Sequence, residues 1–343
     1  MNESQAMQRA LQLAARGRGW AEPNPLVGCV LLAGSGGAAR VIGAGHHERF
    51  GGPHAEVNAL ADAAARGHDP AGATAVVTLE PCSHTGKTGP CANALIDAKV
   101  ARVVAAMTDP DPRVSGRGFD RLRAAGIAVQ VGVEEAAARA LNAPFIKRLT
   151  TGLPFVTLKW AQTLDGATAT STGHSQWISG PESRRRVHEL RAVSDVVMVG
   201  SGTFLADAPR LTARDVEVRR VAKRVVVSAG DRIPREAPIF SDSAGPVEVM
   251  AGPLEDGLRR LASEGATHVL VEGGATLNGA LLNAGLVDRV LVFLAPSLCG
   301  DPSAHPAAVL GLCATMNDVK KLRLRNVERL GDDVMLDYET GSS

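Results

Sequence analysis

Apolar positions along the chain recur at two alternating periods. Met7, Ala10, Leu11 and Ala14 share one helical face, with Ser4 available as a cap and Gly17 and Gly19 as a stop. The apolar run 27–32 predicts a strand, and 40–45 its hairpin partner across the glycine-rich link 33–39. A helix over 55–66, a strand over 74–79, a helix over 91–98 and a strand over 102–107 follow, and a helix over 134–142 closes this half. Strands that alternate with helices imply a mostly parallel sheet covered on both faces.

Prolines and a glycine then interrupt both periods, and a new strand starts at Phe155. The chain is therefore expected to divide into a domain over 1–145, a linker over 146–152 and a second domain over 153–343. The second half repeats the alternation, with strands at 155–160, 195–199, 223–227 and 267–271 and helices at 181–193, 201–206 and 254–263. Segments 287–294, 322–327 and 334–338 read as an antiparallel finish that completes the sheet and offers a subunit contact. The fold class is α/β.

Composition narrows the function. With 343 residues, 45% hydrophobic and 21% charged, the chain has enough apolar surface for two cores. Aromatic residues are only 3%, so Val, Ala and Leu carry the packing. Lys and Arg number 37 against 36 Asp and Glu, a balance that offers no field to a polyanion and argues against nucleic acid as a partner. No apolar run is long enough to span a bilayer, and the amphipathic residues 1–17 are no signal peptide. Five cysteines form no disulfide framework; Cys29, Cys299 and Cys313 read as reduced buried thiols, and the expected address is the cytoplasm.

The remaining two cysteines carry chemistry. His54-Ala-Glu56 opens one predicted helix, Glu80-Pro81-Cys82 ends a buried strand, and Cys91 follows Gly89-Pro90 where another helix starts. One imidazole and two thiols form a three-ligand set for Zn²⁺, whose fourth position stays open for water in a catalytic site. Helix N-termini favour the thiolate form. Glu56 is placed to shuttle protons beside the metal. A structural zinc, or ordinary core thiols and a buried histidine, are the competing readings. His-x-Glu followed by Pro-Cys and a second Cys is the signature of zinc-dependent nucleobase deaminases, with eight residues here between the thiols where that signature has two.

In the second half, Val271-Glu272-Gly273-Gly274-Ala275-Thr276-Leu277-Asn278-Gly279 is a buried strand, two glycines and a helix start. That arrangement exposes backbone N–H groups suited to phosphate, and equally makes a tight turn with no ligand. No full Gly-x-Gly-x-x-Gly is present, since Leu205 stands where Gly200-Ser-Gly202 needs its third glycine; a Rossmann reading has no support.

Asn24-Pro25-Leu26-Val27-Gly28, His47, His54-Ala-Glu56 and the long loop from Pro81 to Cys91 together resemble the bifunctional riboflavin-biosynthesis deaminase/reductase, and the resemblance extends over nearly the whole chain. It implies a cytidine-deaminase-like zinc domain followed by a dihydrofolate-reductase-like domain, with one Zn²⁺ per chain and NADPH as cofactors. The first domain would hydrolyse the exocyclic amine of diaminohydroxyphosphoribosylaminopyrimidine, and the second would reduce the phosphoribosyl group of the product to a ribityl chain. In this resemblance Asn24, His47, His84, Lys87, Asp109 and Asp111 meet the pyrimidine substrate. Asp111 departs from the Asn of the family's Asp-Pro-Asn-Pro.

The same resemblance places Ala161, Trp177, Thr203 and Asp207, with the turn and helix from Gly273 through Gly279 to Ala280, around the nicotinamide cofactor. Ser175, Arg191, Leu211, Arg214 and Glu272 fall around the ribose phosphate, where guanidinium groups grip phosphate bidentately. Lys159, Asp207 and Glu272 surround the ribose, with Asp207 assigned the proton. Ser228-Ala229 departs from the family's Asp-Ser and bears on the choice of NADPH over NADH. A homo-oligomer, a dimer through the reductase domain, is expected. The rival is another zinc deaminase, acting on tRNA adenosine or nucleosides and fused to an unrelated α/β domain.

Overall fold

A computed structural model describes all residues except 35–38, 84–88, 113, 231–232, 235, 312–313 and 342–343. His84, Lys87 and Cys313 lie outside the described residues. The chain forms two compact units, Met1–Gly152 and Leu153–Ser343.

The first unit is a five-stranded sheet in the order β2-β1-β3-β4-β5, built from β1 (Gly28–Ala33), β2 (Arg40–His46), β3 (Thr74–Val77), β4 (Arg102–Ala105) and β5 (Ala128–Val131). β1 runs antiparallel to both neighbours, and β3, β4 and β5 are parallel. Successive side chains of a strand point to opposite faces. Cys29 and Leu31 thus join the core under α2 (Ala55–Ala65), α3 (Cys91–Asp97) and α4 (Arg117–Ala124), while Val30 and Leu32 pack under α1 (Glu3–Arg16) and α5 (Glu135–Leu141). Small residues let helices lie close on the sheet. A Cβ on Gly28 would meet the Ala10 carbonyl at 2.0 Å, and one on Gly43 the Ala59 carbonyl at 2.3 Å.

Three expectations need correction here. Asn2, not Ser4, caps α1, in a reciprocal box with Gln5; the Ser4 hydroxyl donates instead to Glu134. The expected linker is helical, because α6 runs Ala143–Thr151 with Pro144 in its first turn, where a missing N–H costs nothing. Cys299 is half-exposed rather than buried.

The second unit is an eight-stranded sheet in the order β12-β13-β11-β6-β10-β7-β8-β9. Its strands are β6 (Phe155–Gln162), β7 (Val196–Gly200), β8 (Lys223–Val227), β9 (Val247–Met250), β10 (His268–Val271), β11 (Arg289–Leu294), β12 (Leu322–Leu330) and β13 (Asp333–Thr340). The run from β11 to β9 is parallel, and β12 and β13 finish antiparallel. α9 (Leu254–Ser263) and α10 (Ala275–Asn283) bury Leu258, Leu261, Leu277 and Leu281 against one face. α7 (Pro181–Arg191) and α8 (Ser201–Asp207) cover the other through Val187 and Phe204. Among the described residues no helix is long and apolar enough to cross a membrane.

Candidate functional site

In the first unit the metal-ligating atoms of His54, Cys82 and Cys91 lie within 4.8 Å of one another. His54 Nδ1 stands 3.2 Å from Cys91 Sγ and 3.6 Å from Cys82 Sγ. His54 is the N-cap of α2 and makes no side-chain capping bond, which leaves its ring to the cluster. Cys91 is the first residue of α3, and its N–H donates to Cys82 Sγ at 3.3 Å. Zinc bonds of about 2.0–2.3 Å to nitrogen and sulfur span ligand separations of roughly 3.5–3.8 Å in a tetrahedron, so the three donors suit the ion.

Protonation tells the same story. The hydrogen bond with Cys91 is the main force lowering the Cys82 thiol to about 4, with His54 adding to it against the effect of burial. That same bond and burial push Cys91 up. Two thiols this close cannot both ionise unless a cation sits between them, which is what a divalent metal supplies. Glu56 is 3% exposed in the first turn of α2, and burial raises its carboxyl to about 7. A carboxyl with that value can hold a proton at neutral pH and also give it up.

Beside the cluster, His47 and Asn24 fix one another. His47 Nδ1 faces the Pro53 carbonyl at 3.0 Å and so carries the proton, and Nε2 accepts from Asn24 Nδ2 at 3.2 Å. Burial lowers the His47 pKa, which keeps the ring neutral and leaves the Asn24 carbonyl to a ligand. The loop after β4 carries Asp109 and Asp111, where the Asp111 N–H donates to Asp109 Oδ1 at 2.9 Å.

The second unit holds a cleft of about 1470 Å³ at the carboxyl ends of β6, β10 and β7, where open parallel sheets bind ligands. Lys159, Ala161, Ser175, Trp177, Thr203 and Asp207 line it, as do Arg191, Leu211, Arg214 and Glu272. Arg191 holds Glu272 bidentately, Nε to Oε1 at 2.6 Å and Nη2 to Oε2 at 2.8 Å, and Lys159 Nζ lies 3.9 Å from the same carboxylate. Burial lowers the Lys159 pKa. Asp207 is exposed, and its carboxylate accepts from Ser175 Oγ at 3.4 Å.

Gly273, Gly274, Ala275, Thr276, Leu277, Asn278 and Ala280 also line the cleft. Gly279 faces away; a Cβ there would meet the Val309 carbonyl at 1.9 Å. Gly274 is an extended N-cap without a side-chain bond, and a Cβ on it would meet Thr203 Oγ1 at 2.9 Å. The bare N-terminus of α10, this narrow approach and the unpartnered, buried Asn278 Oδ1 suit a pyrophosphate-bearing cofactor.

The family model for the cytidine and deoxycytidylate deaminase zinc-binding region matches residues 1–107, and that for the RibD C-terminal domain matches 154–336. The chain is 39% identical to riboflavin biosynthesis protein RibD of Escherichia coli K12, over 98% of this chain and 99% of that one. A solved Acinetobacter baumannii RibD superposes with a TM-score of 0.88 at 36% identity, over 99% of both chains. The Thermotoga maritima diaminohydroxyphosphoribosylaminopyrimidine deaminase/5-amino-6-(5-phosphoribosylamino)uracil reductase does so with 0.89 at 34%, again over 99% of both. The chain belongs to the RibD family.

As a RibD it is a bifunctional deaminase and reductase of riboflavin biosynthesis. The cytidine-deaminase-like unit takes zinc, and the dihydrofolate-reductase-like unit takes NADPH. Sequence reading missed His188, which also lines the RibD reductase cleft one helical turn before Arg191, its Nδ1 3.2 Å from the Thr212 carbonyl. It also missed two side chains that hold the deaminase loops. Asn142 pairs with both the N–H and the carbonyl of Leu26, at 2.8 and 2.9 Å, next to Asn24. Glu80 binds the loop that bears Asp109. Neither has a local signal, because each acts on a segment distant in sequence.

Proposed function

We propose that the first unit hydrolyses the exocyclic amine of diaminohydroxyphosphoribosylaminopyrimidine and that the second reduces the resulting 5-amino-6-(5-phosphoribosylamino)uracil to its ribityl form. The observation that carries this reading is the three-donor cluster of His54, Cys82 and Cys91 with the buried Glu56 beside it. It is joined in one chain to a cleft with a largely buried, bidentate Arg191–Glu272 pair.

Zinc, when bound by the three donors, acidifies water near neutral pH. Glu56 takes a proton from the attacking water and delivers it to the departing nitrogen, which leaves as ammonia. Asn24 and Asp109 orient the pyrimidine edge, with Asp111 beside them; His84 and Lys87, which the family resemblance assigns to the ribose phosphate, lie outside the described residues. His47 holds Asn24 in register.

In the second unit NADPH supplies the hydride. Gly273, Gly274 and the first turn of α10 receive its pyrophosphate, while Ala161, Trp177 and Thr203 line the nicotinamide side. Arg214 and Ser175 face the substrate phosphate, and Leu211 closes the wall. Glu272, held by Arg191, accepts from ribose hydroxyls. The sequence assigns the proton to Asp207, but Lys159 is the better placed, since it is largely buried beside Glu272 whereas Asp207 is exposed on the rim. We assign the protein to the cytoplasm as a homodimer through the reductase unit, a reading supported by the free thiols and by the exposed Leu322, Leu324 and Val327 on the edge strand β12. The test is to supply purified protein with each substrate in turn and measure ammonia release, NADPH oxidation and zinc content together.

A further inference from the structure

Glu80 ends the segment after β3, two residues before Cys82, and is 3% exposed. Its carboxylate accepts three backbone N–H bonds from one loop and the first turn of the helix that follows it: Gly118 of α4 at 2.8 Å to Oε1, and Gly116 at 3.0 Å and Asp109 at 3.1 Å to Oε2. The loop needs this anchor. Gly116 is the N-cap of α4; its φ of +82° suits glycine, and it supplies no side-chain cap. The orphan N–H groups at the start of α4 therefore receive a carboxylate from the segment after β3, with charge of the favourable sign. Contact at this point is tight. A Cβ on Gly118 would lie 2.0 Å from the Pro81 carbonyl and 3.1 Å from Glu80 Oε1.

We propose that Glu80 is a positioning residue for the deaminase, fixing the Asp109–Asp111 loop to the segment that delivers Cys82. Its backbone continues into a metal ligand and its side chain grips the loop. One buried residue thus sets the distance between the metal position and the residues that hold the ring. The proposal rests on the reading that this loop meets the pyrimidine. Loss of the carboxylate removes three backbone contacts together and loosens the loop's hold on the Cys82 segment, while the His54, Cys82 and Cys91 donors keep their own contacts. Misplaced substrate contacts cost binding before they cost chemistry.

The experiment uses the full chain as Glu80→Ala and Glu80→Gln, with zinc content, deaminase kcat and KM, and NADPH oxidation on the deaminated substrate. The expected result is zinc retained, reductase rate unchanged and deaminase KM raised by roughly tenfold or more, with Glu80→Gln the milder because one oxygen still accepts. An unchanged KM in zinc-loaded protein overturns the proposal. So does zinc lost in step with activity, which would make Glu80 a support for Cys82 alone. If Glu80→Ala does not accumulate as folded protein, Glu80→Gln is judged by the same readouts. Asp109→Ala and Asp111→Ala test the underlying reading separately. If both leave KM unchanged, the loop does not meet the pyrimidine; if they raise it while the Glu80 variants do not, only the positioning role fails.

Discussion

Arg191 and Glu272 come from different elements, the end of α7 and the residue after β10, and meet as a bidentate ion pair in the reductase cleft. Burial alone would raise the Glu272 carboxyl; the Arg191 charge and hydrogen bonds, with Lys159 behind them, more than offset this and hold it at about 2. A folded-state pKa below the unfolded one stabilises the fold above the ordinary carboxylate range, and the contribution is lost as pH falls toward 2. The reductase unit of the native protein is therefore expected to lose stability between about pH 4.5 and 2, and Glu272→Gln to flatten that dependence. Unfolding followed across this range checks it. An equally steep fall in the variant would remove Glu272 from the account.

Removing one partner of a buried pair is costlier than replacing both. Arg191→Met leaves a largely buried carboxylate with Lys159, 3.9 Å away, as its remaining counter-charge and is expected to destabilise the second unit by at most about 3–5 kcal/mol. The double variant Arg191→Met/Glu272→Leu should recover much of that stability without recovering NADPH oxidation. Chemical denaturation of the three proteins measures the difference.

The backbone approach at α10 makes a third prediction. Gly274→Val brings a branched side chain against Thr203 Oγ1, already 2.9 Å from a bare Cβ. KM for NADPH should rise at least roughly tenfold, about 1.4 kcal/mol of binding, with ammonia release unchanged. Steady-state kinetics on each substrate decide this, and unaltered NADPH kinetics in folded protein would move the pyrophosphate elsewhere.

Asn142→Leu removes the only side chain among the described hydrogen bonds that pairs with both backbone groups of Leu26. Two buried polar groups lose their partner, an expected cost of about 1–3 kcal/mol each. Thermal unfolding should show the loss, and KM for the pyrimidine should rise as Asn24 loses its support. A variant with native stability would mean that water replaces the amide.

Local patterns made the deaminase centre legible. His54, Glu56 and Cys91 sit at helix starts and Cys82 in the segment that follows β3, where chain direction changes and turn residues mark the place. The reductase site was legible mainly through resemblance, since Lys159, Arg191 and Glu272 are scattered and each alone reads as an ordinary charge. α4 escaped because its N-cap is Gly116, which offers no capping side chain, and β5 and β9 because they are exposed or half-buried, which weakens the apolar period. α6 was read as a linker because Pro144 looks like a breaker until its first-turn position is known. Glu80 and Asn142 escaped for another reason, since a buried side chain that caps a distant backbone leaves no periodic trace.

We propose that Glu56 moves protons in deamination alone and is not a metal ligand. Glu56→Gln keeps the shape of the side chain and removes its base. Assayed on both substrates with zinc measured alongside, the variant should retain about one zinc per chain, lose at least roughly two orders of magnitude in ammonia release, and oxidise NADPH at the parent rate when given the deaminated product. A folded, zinc-loaded Glu56→Gln protein that fails in both reactions, or that deaminates at the parent rate, would contradict the account.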